Sequence, residues 1–286
     1  MRKYIIFILE VLLMMAVFSG CKDENITQLV DRMYNTKVDS EKINVNYNID
    51  LIANIDENDY NLITNGNALI EASGLDKKEN ILLYGNGNLN YDLFGLITEN
   101  RDFKVHLETK ESTVSIEYFD NTDKQWHKKD YDFTDKDSPF TYYEKNHIKE
   151  LYKEICTKSK LEKVTKKIGD EECYVLKKSL SRSDYNEIAD SISQKYQTSY
   201  YDELETVVNE NCKCELDDIL NFVKVDIITY ISKENGYLAG IEADFSKTDI
   251  NGIFKALGMN QDENIKFDNL YKINKLSFKC EMEDIN

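Results

Sequence analysis

Residue types that commonly carry catalysis or hold metals are few and scattered in this sequence. The three histidines, His106, His127 and His147, lie far apart, and none belongs to an H-E-x-x-H motif. Cys212 and Cys214 form a C-x-C pair, whereas zinc sites usually use C-x-x-C spacing and need a second ligand pair. The sequence also lacks a nucleophile elbow, a phosphate loop and a dinucleotide fingerprint. We therefore expect a protein that binds rather than catalyses, without a metal or a cofactor.

One cysteine, Cys21, stands in a pattern that points to a definite chemistry. Two basic residues at 2–3 precede an apolar run at 4–18, and two small residues come directly before Cys21. This order is typical of a secretion signal, and the run is shorter than the roughly 20 residues that a membrane span needs. We expect residues 1–20 to be a signal peptide.

The sequence "FSGC" at 18–21 resembles the lipobox of bacterial lipoproteins, with Phe18 where leucine is usual. The resemblance implies that a diacylglyceryl group is attached to Cys21 and that the preceding bond is cut, so that Cys21 becomes a lipidated N-terminus carrying palmitate-type chains. Two acyl chains hold a protein on a membrane stably. We expect a lipid-anchored protein on the extracytoplasmic face of a bacterial membrane. The alternative is an ordinary signal peptide or an uncleaved anchor with a chance cysteine.

The composition limits the partners of the chain. Removing residues 1–20 takes away two of the 36 basic and one of the 53 acidic residues, so the formal charge changes from −17 to −18. Nucleic acids and anionic headgroups attract basic patches, so this charge argues against both as partners. A hydrophobic content of 41% and a single proline indicate a folded body and not a disordered one.

The number and spacing of the cysteines beyond Cys21 do not indicate a particular set of disulfide bonds. An exported protein can form disulfides, but the number of remaining cysteines is odd. They are Cys156, Cys173, Cys212, Cys214 and Cys280. We expect one disulfide, joining Cys173 to Cys212 or to Cys214.

The elements that follow the anchor begin with a short helix and then change to strands. Apolar residues at helical spacing predict an amphipathic helix over about 24–35 within a 21–40 anchor and tether segment. Strict alternation then predicts a half-buried strand. Its apolar positions are Ile43, Val45, Tyr47, Ile49 and Leu51. Further alternating runs separated by turn-rich breaks predict an antiparallel meander of five or six strands over about 42–130.

Two Asn-Gly pairs leave the strand lengths open. Asn65-Gly66 and Asn86-Gly87 suit tight hairpin turns, or they lie inside long strands where a backbone approaches closely. The alternation continues on both sides of each glycine, which favours long strands.

The rest of the chain predicts helices and a second set of strands. After Pro139 a helical stripe runs to 156, a strand covers 173–180, and a long helix follows over 181–208 with a capping signal at Asp184 and Glu187. Strands are expected at 222–232, 236–246 and 272–283, with a short helix at 250–258.

Three segments of the sequence resemble the LolA/LppX-like lipoprotein carriers, including lipoproteins of Firmicutes. They are "NTDKQWHKKD" (121–130) with Trp126, "GDEECYVLKKSLSRSDYNEIADSI" (169–192) and "VKVDIITYISKENGYLAGIEADFS" (223–246). The resemblance implies a Gram-positive host and an α+β domain over 41–286. It implies a curved antiparallel β-sheet (half-open barrel) with helices packed on its concave face and an apolar cavity between them.

The expected function is binding of a hydrophobic or amphiphilic ligand, such as a lipid or acyl chain, without chemical turnover. Candidate wall positions are the five apolar residues of the first strand, 43 to 51. Candidate lid positions on the long helix are Tyr185, Ile188, Ile192 and Tyr196. A fully packed core that presents its surface to an envelope protein is the first alternative, and an extracellular hydrolase is the second.

Overall fold

The computed structural model describes residues 25–55, 58–75, 81–93, 95–110, 113–120, 123–132, 148–196, 214–257 and 270–284. Its helices are α1 (Ile26–Asn35), α2 (Ile148–Thr157), α3 (Arg182–Tyr196), α4 (Leu216–Leu220) and α5 (Ile250–Ala256). The predicted helices near 24–35, after Pro139 and at 250–258 are confirmed, while α4 was not predicted. The predicted extension of α3 towards 208 lies outside the described residues.

Strands make up most of the described chain. They are β1 (Ser40–Ile55), β2 (Asn58–Ser73), β3 (Leu82–Leu93), β4 (Ile97–Lys110), β5 (Thr113–Asp120), β6 (Gln125–Asp132), β7 (Lys160–Leu161), β8 (Lys166–Ile168), β9 (Glu171–Leu180), β10 (Val225–Ser232), β11 (Leu238–Asp244) and β12 (Tyr271–Asp284). The six-strand meander is confirmed. The short strands β7 and β8 were not predicted.

All these strands form one open antiparallel sheet in the order β6-β5-β4-β3-β2-β1-β12-β11-β10-β9-β7, with β8 paired to β9. The first and last strands join its two halves, since β1 lies between β2 and β12. An open antiparallel sheet with a few helices is the predicted α+β class, and that prediction is confirmed.

The sheet has two chemically different faces because side chains alternate along each strand. The register aligns Tyr47 with Phe278 of β12 and Gly66 of β2 on one side, which we call the apolar face. It aligns Asn46 with Lys279 and Asn67 on the other side, which we call the polar face.

The two Asn-Gly pairs lie inside long strands, as the alternation favoured. A Cβ atom on Gly66 would collide with the carbonyl oxygen of Asn88 and with the Tyr47 ring, and one on Gly87 would collide with the Phe103 ring. Glycine is therefore required where these rings lie against the sheet on its apolar face.

Helices cover one end of the apolar face. Leu29, Val30 and Met33 of α1 pack with Cys156 of α2 and with two residues of the sheet, Leu176 and Ile231. A second cluster joins α2 and α3 to β9 and β10 through Ile155, Ile188, Leu180 and Val225. The well-buried core therefore lies over β9 to β11. A smaller cluster on the polar face packs Tyr230 and Tyr237 beside Cys173.

Two predictions are corrected. The capping signal at Asp184 and Glu187 lies one turn too late, because Ser181 precedes α3 and its backbone N–H and hydroxyl both donate to Asp184 Oδ2, at 2.9 and 2.5 Å. The predicted disulfide of Cys173 is wrong. Cys173 is a buried free thiol that packs with Ile168 of β8, and Cys156 and Cys280 are free as well. Cys173 therefore forms no bond to Cys214, and Cys212 lies outside the described residues.

Candidate ligand-binding site

A cavity of about 700 Å³ lies between helices α1 and α2 and the sheet. Its walls come from α1, from the segment that links α1 to β1, from α2, and from the start of β11. The lining residues are Met33, Tyr34, Thr36, Val38, Glu41, Leu75, Lys149, Tyr152, Tyr237, Leu238 and Ile241. This volume falls in the range of about 300–1,000 Å³ that is usual for small-molecule pockets.

Helix α1 is held against the sheet by contacts on two sides of the helix. Leu29 and Val30 are fully buried, and Arg32 on the other side donates to the carbonyl oxygens of Ser232 and Lys233 at 3.0 and 2.9 Å. The turn that supplies these carbonyls ends at Gly236, whose φ of +78° suits glycine and whose missing side chain leaves room for Arg32. The cavity wall is thus held in place by packing and hydrogen bonds together.

One lining residue, Tyr152, belongs to a hydrogen-bonded cluster with two buried groups, Thr229 and Cys156. The Tyr152 hydroxyl and Thr229 Oγ1 are 2.7 Å apart, and Cys156 Sγ lies 3.7 Å from the same oxygen. Burial raises the pKa of Tyr152 well above its usual value and raises the pKa of the Cys156 thiol to about 11. Both groups are therefore neutral at pH 7, and a protonated thiol is a weak nucleophile.

The charged groups of the cavity lie near α1 and at the start of β1. Tyr34 donates through its hydroxyl to the Lys149 carbonyl oxygen at 3.0 Å, and the Lys149 ammonium lies 5.5 Å from the centre of the Tyr34 ring. Burial, and the nearby charge of Asp284, raise the pKa of Glu41. The site therefore combines apolar walls with one cation that is exposed to solvent and one carboxyl group that is easier to protonate than usual.

The structure places the predicted wall and lid residues elsewhere. Ile43, Val45, Tyr47, Ile49 and Leu51 are half-buried on the apolar face of β1, and none of them is among the residues that line the cavity. Ile188 and Ile192 are almost completely buried in the core under α3, with Tyr185 packed against the same core. The Tyr196 side chain lies outside the described residues. A role for these residues in ligand binding stays a prediction.

The sequence predicts the structural position of only some of the lining residues. Met33 and Tyr34 belong to the periodic stripe that predicted α1, so their helical position was available. Val38 and Leu75 lie in connections beside strands, where alternation gives no signal, and Leu238 lies in the strand predicted over 236–246, whose pattern does not show which helix it meets. They meet at the cavity only because β1 and β11 both flank β12.

A second depression, which we call the polar groove, occupies about 670 Å³ on the polar face. It crosses five strands, β2, β1, β12, β11 and β10. The side chains that line it include Asn46, Asn48, Asn65, Asn67, Glu242 and Lys279. Lys166 bridges its margin, with its ammonium 2.9 Å from the Tyr230 hydroxyl and 3.1 Å from Glu242 Oε1.

The anchor predicted at Cys21 and the signal peptide lie outside the described residues. None of the five described helices is long and apolar enough to cross a membrane. Among the described residues, no three His, Cys, Asp or Glu side chains come together as a metal site would require.

Comparison with known proteins yields little. No family model matches the chain, and no curated protein matches it. One solved structure that matches is that of a DUF1329 family protein from Desulfovibrio piger, with 9% sequence identity over 91% of this chain and 90% of that chain. The TM-score is 0.22, which is too low to support an argument about fold or function.

Proposed function

We propose that the protein is a lipid-anchored, extracytoplasmic lipoprotein that binds a hydrophobic or amphiphilic ligand between helices α1 and α2 and the sheet, without chemical turnover. The observation that carries this proposal is the cavity of about 700 Å³ with walls from Met33, Val38, Leu75, Leu238 and Ile241. A cavity of this size with mainly apolar walls suits an acyl chain. The neutral Tyr152 on its wall and the neutral Cys156, which contacts the same threonine as Tyr152, are compatible with binding and offer no activated nucleophile.

The charged residues of the cavity favour an amphiphile with an anionic end. Lys149 is exposed beside Tyr34, so its ammonium can pair with a carboxylate while the acyl chain lies against Leu238 and Ile241. A long-chain fatty acid has this shape. In the proposed arrangement Cys21 carries the diacylglyceryl anchor, and α1 begins five residues after it, so the cavity wall lies next to the membrane from which a ligand would come.

Binding can be tested with cis-parinaric acid as a fluorescent fatty acid and the chain from residue 22 onward. Ile241→Phe places extra volume in the cavity and should lower the affinity by about tenfold or more, because the added ring occupies space that the acyl chain needs. Ile228→Phe, on the opposite face of the neighbouring strand β10, is the matched control. Unchanged affinity of Ile241→Phe, or failure of the unaltered chain to bind, would overturn the proposal.

The orientation of the ligand has its own test. Lys149→Gln should weaken binding of oleate and leave binding of oleyl alcohol unchanged, because only the carboxylate pairs with the ammonium. Lys160→Gln serves as the control, since Lys160 is an exposed lysine on β7 away from the cavity. Equal losses for both ligands would show that Lys149 does not meet a carboxylate.

The anchor is tested in a bacterial host. Cys21→Ala should leave an unprocessed precursor or release the protein into the medium, and it should abolish incorporation of labelled palmitate. Ser19→Ala, which keeps a small residue before the cleavage point, is the control. Normal processing and membrane association of Cys21→Ala would contradict the anchor.

A further inference from the structure

Asparagine is concentrated on the polar face of four neighbouring strands. Eleven of the 28 asparagines of the chain lie there, on β1 to β4. Asn54 and Asn61 lie towards one end of β1 and β2, and we call the other nine the asparagine lattice. They are Asn44, Asn46, Asn48, Asn65, Asn67, Asn86, Asn88, Asn90 and Asn100. The register sets Asn46, Asn67 and Asn88 side by side in one row, and it sets Asn48, Asn65, Asn90 and Asn100 in the next.

General composition does not explain this concentration. The strands β5 to β12, which together are about as long as β1 to β4, contain a single asparagine, Asn274. Asparagine is also disfavoured in strands, where threonine and other β-branched residues fit better. Residues that are unfavourable in strands and add no evident packing contacts are expected where a surface has a function.

Hydrogen bonds orient several amides of the lattice. Asn90 Nδ2 donates to Asn88 Oδ1 at 2.7 Å and to Asn65 Oδ1 at 3.3 Å. Asn88 Nδ2 donates to Asn100 Oδ1 at 2.5 Å and to Asp102 Oδ1 at 2.9 Å. Each amide has two donor hydrogens and an oxygen with two lone pairs. The lattice is therefore a surface of oriented donors and acceptors that carries no net charge of its own.

The spacing and the surroundings of the lattice define the ligand. Neighbouring strands are about 4.8 Å apart, and residues on one face repeat about every 6.7 Å along a strand, so the amides suit an extended ligand with closely spaced hydroxyl groups. The polar groove continues the lattice from Asn46 and Asn48 across β12 to β10. Tyr84 lies on the same face next to Asn86, is 55% exposed and stacks on His106 at 4.5 Å, which offers a flat apolar surface beside the amides.

We propose that the asparagine lattice and the polar groove bind a neutral glycan strand. A polyanion would need clustered basic residues, and a lipid would need apolar ones; the nine amides supply neither. The hydroxyl and acetamido groups of a sugar chain pair with side-chain amides, and the apolar side of a sugar ring can lie on Tyr84. This surface is on the opposite side of the sheet from the cavity, so the glycan and the acyl ligand occupy independent sites.

The test uses the purified full chain in a zwitterionic detergent and three immobilised hexasaccharides: chitohexaose, cellohexaose and maltohexaose. We expect the chain to bind at least one of them. The triple variant Asn67→Thr, Asn88→Thr, Asn90→Thr should lose about tenfold or more in affinity, because several hydrogen bonds are removed together. Its melting temperature should be unchanged or higher, since threonine is the better strand residue.

Asn61→Thr is the matched control, because Asn61 lies on the same face of β2 about 13 Å from Asn65, and its affinity should be that of the unaltered chain. If the triple variant does not fold, the single variants Asn67→Thr and Tyr84→Thr replace it, and each should bind more weakly. The proposal would be overturned if the chain bound none of the three hexasaccharides, or if it bound only dextran sulfate. It would also be overturned if folded lattice variants bound a hexasaccharide as tightly as the unaltered chain. Ile241→Phe should not change glycan binding.

Discussion

The two ends of the sheet are built from the same kind of strand pairing, yet they are buried very differently. On β9 and β10, Leu176 and Ile231 are completely buried beneath α1 and α2. On β1, the apolar residues from Ile43 to Leu51 are only half-buried, although they lie on the same face. Among the described residues, helix–strand packing falls mainly on β9 and β12. The end of the sheet formed by β9 and β10, which we call the covered end, therefore contributes most of the stability of the fold. The strands β1 to β4 mainly provide accessible surface.

This contrast is sharpest for equal truncations at the two ends. Leu176→Ala should lower the free energy of unfolding by about 3–4 kcal/mol, because it opens a cavity in a packed cluster. Ile70→Ala on β2, where the side chain is half-buried beside Ile43, should cost only about 1–1.5 kcal/mol. Urea unfolding of both variants, with m-values compared, measures the difference. Equal losses would mean that the apolar face of β1 to β4 is covered as well as that of β9.

The second prediction concerns the way in which the uncovered end is packed. Gly66→Ala should cost about 2 kcal/mol, because its Cβ would meet the Asn88 carbonyl oxygen and the Tyr47 ring. Ala68→Ser, two residues away on the same face of β2, is the control and should cost less than about 1 kcal/mol. Thermal unfolding of both variants measures the effect. A neutral Gly66→Ala would show that the Tyr47 ring does not lie against this glycine.

The sequence predicted the elements well, because alternation and helical spacing are local properties. The strand around Tyr47, the continuity of β2 through Gly66 and the helix that carries Met33 are all direct consequences of such patterns. The N-cap was placed wrongly because Asp184 suits both the cap itself and the position three residues after it. Only the structure shows that Asp184 accepts from Ser181.

The candidate sites depend on contacts between distant segments, so they could be predicted only in part. The prediction of a cavity between sheet and helices rested on a family resemblance, and the alternation in β1 shows only which residues share a face. Leu75 and Leu238 line one cavity because β1 and β11 both pair with β12. The asparagine lattice likewise needs the register of four strands, since no single strand contains more than three of its members.

The last and smallest effect belongs to the edge of the covered end, where α3 begins. Burial opposes ionisation of Asp184, but hydrogen bonds from Lys178 and Ser181 lower the pKa of its carboxyl group to about 2. A pKa below the unfolded value of about 3.9 means that the ionised form stabilises the fold. This contribution is complete above about pH 5 and is lost as the pH falls towards 2. Asp184→Asn should therefore cost about 1–2 kcal/mol at pH 7.

The pH dependence separates this contribution from a loss of packing. The difference in stability between the unaltered chain and Asp184→Asn should shrink between pH 5 and pH 2, because protonation removes the same charge that the substitution removes. Asp190→Asn, on an exposed position of the same helix, should differ little from the unaltered chain at any pH. A difference for Asp184→Asn that stays constant down to pH 2 would mean that the carboxylate charge does not hold α3 against β9. The covered end would then depend on its apolar contacts alone.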